Sequence, residues 1–222
     1  MNAETISQKI KAQGLLPLFY HDDPKVCLSV TKALYAAGVR CVEFTNRGPK
    51  AADNFSQLIK ERNASMKDLL LAIGTIKTAD EATRFIEAGA DLLISPVFDD
   101  GVARVANAFD KLWIPGCMTP TEIHTAQQAG CTLVKLFPGN TLGTGFVEAV
   151  KPVFSGMDYV VTGGVDITEE SIGSWFKAGV AGVGLGSKLI TKNVLLKGDY
   201  ARLTETTKKV LAIVREIVRR EW

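Results

Sequence analysis

Apolar runs alternate with amphipathic, helix-like stretches from one end of the chain to the other. One pattern occurs four times: an amphipathic stretch, then Ala-Gly, then a short apolar run. The copies are AAGVRCVEF around Gly38, EAGADLLIS around Gly89, QAGCTLVKLF around Gly130 and KAGVAGVGLG around Gly179. Residues 24–37, 78–88, 119–129 and 168–178 supply the preceding helices. Each glycine reads as the left-handed residue that ends a helix. The apolar run after it reads as a strand buried on both faces. The glycines lie 51, 41 and 49 residues apart, about twice the length of one strand–helix unit. A further strand is therefore expected in each interval, and LLLAIGT (69–75), KLWIPGC (111–117) and MDYVVTGG (157–164) fill those places. GLLPLF at 14–19 precedes the first helix. The last helix, 200–220, carries Leu203, Val210, Ile213, Val214 and Ile217 at mainly helical spacing.

Eight alternating strand–helix units predict an α/β (β/α)8 TIM barrel, with an extra helix over 1–13 and one domain over 1–222. The rival is an open doubly wound sheet, but no GxGxxG follows the first strand. At 222 residues the chain is shorter than the roughly 250 typical of such barrels, so its loops must be short.

Composition narrows the function classes. With 26 basic and 24 acidic residues, net charge +2, the chain is too balanced to bind nucleic acid by electrostatics alone. It has no apolar run long enough to span a membrane, and its first residues lack the apolar core of a secretory signal. Cys27, Cys41, Cys117 and Cys131 form no CxxC pair and read as reduced, mostly buried thiols of a cytoplasmic protein. The two histidines, His21 and His124, lie far from each other and from any cysteine pair, so no zinc site is expected. His124 reads as a peripheral helix residue, and His21 with Asp22 and Asp23 as a solvated turn.

Two strands carry charge where a parallel barrel should be apolar. Glu43 sits in the middle of CVEFT and Lys135 in the middle of TLVKLF. Such residues are almost never fully buried unless paired or functional. A buried salt bridge is the bland explanation, but desolvation makes it an inefficient source of stability. The alternative is a nucleophile, because burial disfavours a charged amine and attack on a ketone requires a neutral one. Arg47 follows at the end of the second strand, at the barrel face where active sites lie, and could clamp a carboxylate. Thr75 ends the third strand and offers a hydroxyl and an N–H, or else a cap for the next helix. Thr162, Gly163 and Gly164, then Gly186 and Ser187, end the last two strands. In this fold those loops often hold a phosphate on backbone N–H groups. Trp113 and Phe137 read as packing residues, and Phe137 could also line a pocket beside Lys135.

The segments GVRCVEFTNR, AIGTIKTADEA, LLISPVFD, IPGCMTPTEI, VKLFPG, VVTGGV and GVGLGSKL together resemble the 2-keto-3-deoxy-6-phosphogluconate (KDPG) aldolases and their relatives that cleave 4-hydroxy-2-oxoglutarate (KHG). The resemblance covers about residues 3–192, with the motifs in order. It implies a barrel, usually trimeric, that cleaves a 2-keto-4-hydroxy acid through a Schiff base without metal or cofactor. On it, Lys135 matches the imine-forming lysine and Glu43 the general acid/base. Arg47 and Thr75 match groups that hold the pyruvate carboxylate, and Pro96 and Phe137 match the pyruvate pocket. Thr162, Gly163, Gly164, Gly186 and Ser187 match the region receiving the far, phosphorylated end. The chain departs from the usual pattern in three places. It reads Thr45-Asn46-Arg47-Gly48 where many members read Thr-Leu-Arg-Thr, Leu185-Gly186-Ser187-Lys188 where many read Gly-Gly-Ser-Trp, and Leu136 where an aromatic usually follows the lysine. These changes bear on sugar and phosphate specificity and leave the imine chemistry intact. The expected reaction is cleavage of KDPG to pyruvate and glyceraldehyde 3-phosphate. KHG or a related 2-keto-3-deoxy sugar acid is the alternative substrate. A phosphosugar isomerase or a non-catalytic sugar-acid-binding barrel is a more distant reading, because neither needs a mid-strand lysine.

Overall fold

Every apolar run that follows one of the four repeat glycines forms a parallel strand in the computed structural model, which describes residues 1–220. Gly38, Gly89, Gly130 and Gly179 all hold positive φ, from 85° to 104°. They end their helices in the conformation that costs a side chain most. In chain order the elements are α1 (Ala3–Gln13), β1 (Leu15–Phe19), α2 (Pro24–Ala36), β2 (Cys41–Thr45), α3 (Ala51–Ser65), β3 (Leu70–Gly74) and α4 (Ala79–Glu87). Then come β4 (Leu92–Ile94), α5 (Asp100–Ala108), β5 (Leu112–Ile114), β6 (Gly116–Cys117), α6 (Pro120–Gln128), β7 (Leu133–Leu136), α7 (Gly139–Leu142) and α8 (Thr144–Val150). The chain continues with β8 (Asp158–Thr162), α9 (Glu169–Ala178), β9 (Gly182–Leu185), α10 (Lys192–Lys197) and α11 (Tyr200–Arg220). The extra N-terminal helix and the final helix lie where the pattern places them. Short polar caps start the helices: Thr78, Asp99, Thr119 and Thr168 each accept a backbone N–H of the first turn.

The strands form one parallel sheet in the order β5-β4-β3-β2-β1-β9-β8-β7-β6. One expectation changes: the single strand anticipated at 111–117 is two segments, which makes nine where eight were expected. Pro115 separates them, because proline brings no N–H to a ladder. Before it, Leu112–Ile114 pair with β4; after it, Gly116 and Cys117 pair with β7. The Pro115 carbonyl itself accepts the Lys135 N–H at 2.8 Å. One stretch of chain thus supplies both ends of the sheet and rolls it into a nearly closed barrel.

Side chains alternate between two cores, as strand geometry requires. Outward residues such as Phe44, Leu71 and Ile73 pack under the helices, where Phe44, Phe55 and Phe85 lie ring against ring. Inward residues such as Cys41, Leu70, Leu112 and Leu133 fill the barrel, and Ile6 and Ile10 of α1 close its lower end. Counting by twos from Cys41 and from Leu133 leads inward again to Glu43 and Lys135. Both stand one pleat higher, toward the strand C-termini.

Candidate active site

Glu43 is fully buried and Lys135 is 5% exposed. They come from strands on opposite arcs of the sheet, yet Lys135 Nζ lies 3.4 Å from Glu43 Oε1. That is the long end of a hydrogen bond. The other carboxylate oxygen, Oε2, has no hydrogen-bond partner among the described residues. A buried carboxylate with one long contact and one orphan oxygen is poorly compensated. The Lys135 ammonium also stands 5.7 Å from the Phe137 ring centroid, within cation–π range.

Glycines clear the space around this pair. A methyl group on Gly74 would overlap Glu43 Oε1, and one on Gly184 would overlap Thr162 Oγ1. Gly184 and Thr162 are register partners on β9 and β8. At these two points the barrel sets a polar side chain against bare backbone, whereas Cys41, Leu70, Leu112 and Leu133 fill the interior with apolar side chains. Gly184 belongs to the glycine-bearing end of the last strand that the sequence already marks, whereas Gly74 does not stand out. Gly74 lies inside an apolar run, and only its register opposite Thr45, on the strand of Glu43, reveals its purpose.

The remaining expected residues surround the same end. Arg47 is exposed two residues past β2 and pairs with no carboxylate among the described residues. Thr75 is half-buried directly after β3, at φ 64°, in the left-handed region. For a β-branched residue that conformation costs on the order of 1–3 kcal/mol. Its capping alternative fails, because Thr78 caps α4. Pro96 is half-buried two residues past β4, and Phe137 one residue past β7. Thr162 is buried at the end of β8, and Gly163 and Gly164 follow with φ of 90° and 72°. Gly164 lies so close to Asn140 that a side chain would strike its backbone. Gly186 and the exposed Ser187 follow β9, and the next residue, Lys188, pairs with Asp166 at 2.6 Å. All eleven expected residues thus gather at the C-terminal end of the barrel.

The family model described as KDPG and KHG aldolase matches residues 6–206. The chain belongs to the KDPG and KHG aldolase family. Among its curated relatives, the 2-dehydro-3-deoxy-phosphogluconate aldolase of Treponema pallidum is 26% identical over 95% of this chain and 98% of the relative. The 2-dehydro-3-deoxy-6-phosphogalactonate aldolase of Escherichia coli is 30% identical over 75% of this chain and 79% of the relative. The solved KDPG aldolase of Legionella pneumophila, which holds pyruvate as a covalent carbinolamine, has the same fold. Its TM-score is 0.83 at 24% identity, over 91% of this chain and 96% of that one.

Within this aldolase-family chain, the thiols take no visible part in the site. Burial pushes Cys27 and Cys117 up to about 12 and Cys131 up to about 11, so all three stay protonated at neutral pH. His124 is exposed on α6, at the periphery as expected. Among the described residues no three His, Cys, Asp or Glu side chains cluster in a way that could hold a metal. Two residues not among the eleven expected border the site: Asn46, visible in the sequence only as a departure from the family pattern, and Glu81 link the segments that carry Arg47 and Thr75.

Proposed function

We propose that this chain is a class I aldolase that cleaves KDPG to pyruvate and glyceraldehyde 3-phosphate through an imine on Lys135. The observation that carries the reading is the buried Lys135–Glu43 pair inside the barrel, with one Glu43 oxygen unpartnered among the described residues. Glu43 is within reach to take a proton from the lysine, which leaves the amine free to attack the C2 ketone. Glu43 returns that proton to the C2 hydroxyl, which leaves the carbinolamine as water; the product is a protonated imine, an electron sink, and Glu43 is again a carboxylate. Glu43 then removes the C4 hydroxyl proton, the C3–C4 bond breaks, its electrons enter the imine, and the aldehyde departs. Glu43 returns its proton to C3 of the enamine, and hydrolysis releases pyruvate and restores Lys135. One carboxylate serves as base and acid in turn. Arg47 and Thr75 hold the substrate carboxylate so that the ketone meets the amine in attack geometry. Pro96 and Phe137 flank the pyruvate methyl end, and Thr162, Gly163, Gly164, Gly186 and Ser187 receive the phosphorylated end.

A second reading concerns the C4 epimer. The relative at 30% identity is a phosphogalactonate aldolase, so the galactonate analogue belongs in the same assay. The proposal extends to a cytoplasmic homotrimer with one barrel domain, 1–222, per chain. It involves no cofactor and no nucleic-acid or membrane partner. The test is intact and peptide mass spectrometry after pyruvate and borohydride. A reduced adduct on Lys135, absent in Lys135→Arg, supports the imine, since a guanidinium stays protonated. Absence of an adduct from the folded, unsubstituted protein removes the mechanism.

A further inference from the structure

We propose that Asn46 and Glu81 form a clamp that positions Arg47 and Thr75 for the substrate carboxylate; this inference rests on the aldolase reading above. The Asn46 backbone N–H donates to the Gly74 carbonyl at 2.8 Å. Its side-chain amide donates to Glu81 Oε1 at 3.1 Å. The second Glu81 oxygen accepts the Lys77 N–H at 2.8 Å, and the Glu81 N–H donates to the Thr78 cap at 3.2 Å. These bonds grip the chain on both sides of Thr75: Gly74 immediately before it, Lys77 two residues after. Thr75 holds its unfavourable φ between those two fixed points.

The same clamp aims Arg47. Arg47 is the residue directly after Asn46, and its N–H turns back to the Thr45 carbonyl at 2.9 Å. Its guanidinium meets no carboxylate among the described residues, so the clamp acts on it through the position of its backbone. On the far side Gly48 lies against Tyr20, where any side chain would overlap the phenol ring. The loop is thus wedged by Tyr20 and leashed by Glu81. A leucine, the residue many family members carry in place of Asn46, could make no such bond. Glu81 stands in the first turn of α4, so it ties the loop after β2 to a helix. Asn46 and Glu81 are positioning residues, acting on the substrate only through Arg47 and Thr75.

The experiment measures half-saturation by pyruvate of the borohydride-trapped adduct on Lys135, together with kcat and KM. Asn46→Asp sets two carboxylates against each other and is expected to raise half-saturation and KM roughly tenfold, as loss of one aligned charged hydrogen bond does, while kcat holds. Glu81→Gln stays within about twofold of wild type. The introduced carboxamide still accepts from Lys77, and it donates to the Asn46 oxygen once that amide turns over. In the double variant the carboxylate and carboxamide exchange sides, the bond re-forms, and half-saturation returns to within about twofold. A wild-type-like Asn46→Asp overturns the clamp and leaves the aldolase reading standing. So does a double variant no better than the single one, or a single variant that fails to fold and is not rescued. No adduct in the unsubstituted protein overturns both.

Discussion

The buried ion pair should cost the fold stability. Glu43 has no exposure and Lys135 almost none, while their attraction runs through one contact of 3.4 Å with an oxygen left over. Desolvation takes several kcal/mol per ion, and a geometry this loose returns only part of it. Lys135→Met strands Glu43 among Cys41, Ala72 and Gly74 and should cost about 3–5 kcal/mol. With a urea slope of roughly 2–3 kcal/mol/M, the midpoint falls by roughly 1–2.5 M. Adding Glu43→Leu replaces the pair with two apolar side chains of similar volume, continuous with the layer below. The double variant should regain the whole loss and exceed wild type by about 1–4 kcal/mol. Fluorescence of the buried Trp113 and Trp175 follows unfolding in urea at pH 7. Every variant that lacks Lys135 should form no pyruvate adduct. A double variant as unstable as Lys135→Met alone would refute the reasoning, because the pair would then be holding the barrel together.

Two further outcomes are expected. Gly74→Ala places a methyl where Glu43 Oε1 lies while φ at that position stays ordinary, so the fold should survive and kcat on KDPG should drop at least about 10²-fold. Steady-state rates beside far-UV circular dichroism check it, and a wild-type kcat contradicts it. The buried thiols make stability fall in alkali. Unfolded cysteine loses its proton near its ordinary value of 9.0, whereas folded Cys27 and Cys117 keep theirs to about 12, so between those values the unfolded chain binds fewer protons and gains. The urea midpoint should slope downward above about pH 9, and Cys27→Ala with Cys117→Ala should lessen the slope; an unchanged slope rejects the assignment.

The parts of the molecule governed by periodicity and turn chemistry were legible in the sequence. Helix-ending glycines, polar caps and doubly buried strands each obey a local rule. Glu43 and Lys135 were legible for the opposite reason, since charge in a buried strand violates the rule for its surroundings. Register was not legible. That Gly74 stands beside the Glu43 carboxylate depends on how two strands align, which neither strand encodes alone. The same holds for Asn46 and Glu81, 35 residues apart, an amide on an ordinary loop and a carboxylate in an ordinary first helical turn. Pro115 was visible, but its effect was not. Only the curvature of the closed sheet shows that the residues before and after it face different neighbours. The positive φ of Thr75 had no signal, because threonine is among the residues least expected there.

Because the sheet closes at Pro115, the chain consists of two arcs of consecutive strands, β1–β5 and β6–β9, that meet at β1 with β9 and again at the proline. Glu43 belongs to the first arc and Lys135 to the second. Neither arc contains both members of the pair, and the lysine's own backbone N–H is satisfied by the seam residue. The proposed nucleophile and its proposed proton acceptor therefore become neighbours only when the ring shuts, so a pyruvate adduct trapped with borohydride during refolding should appear no earlier than closure.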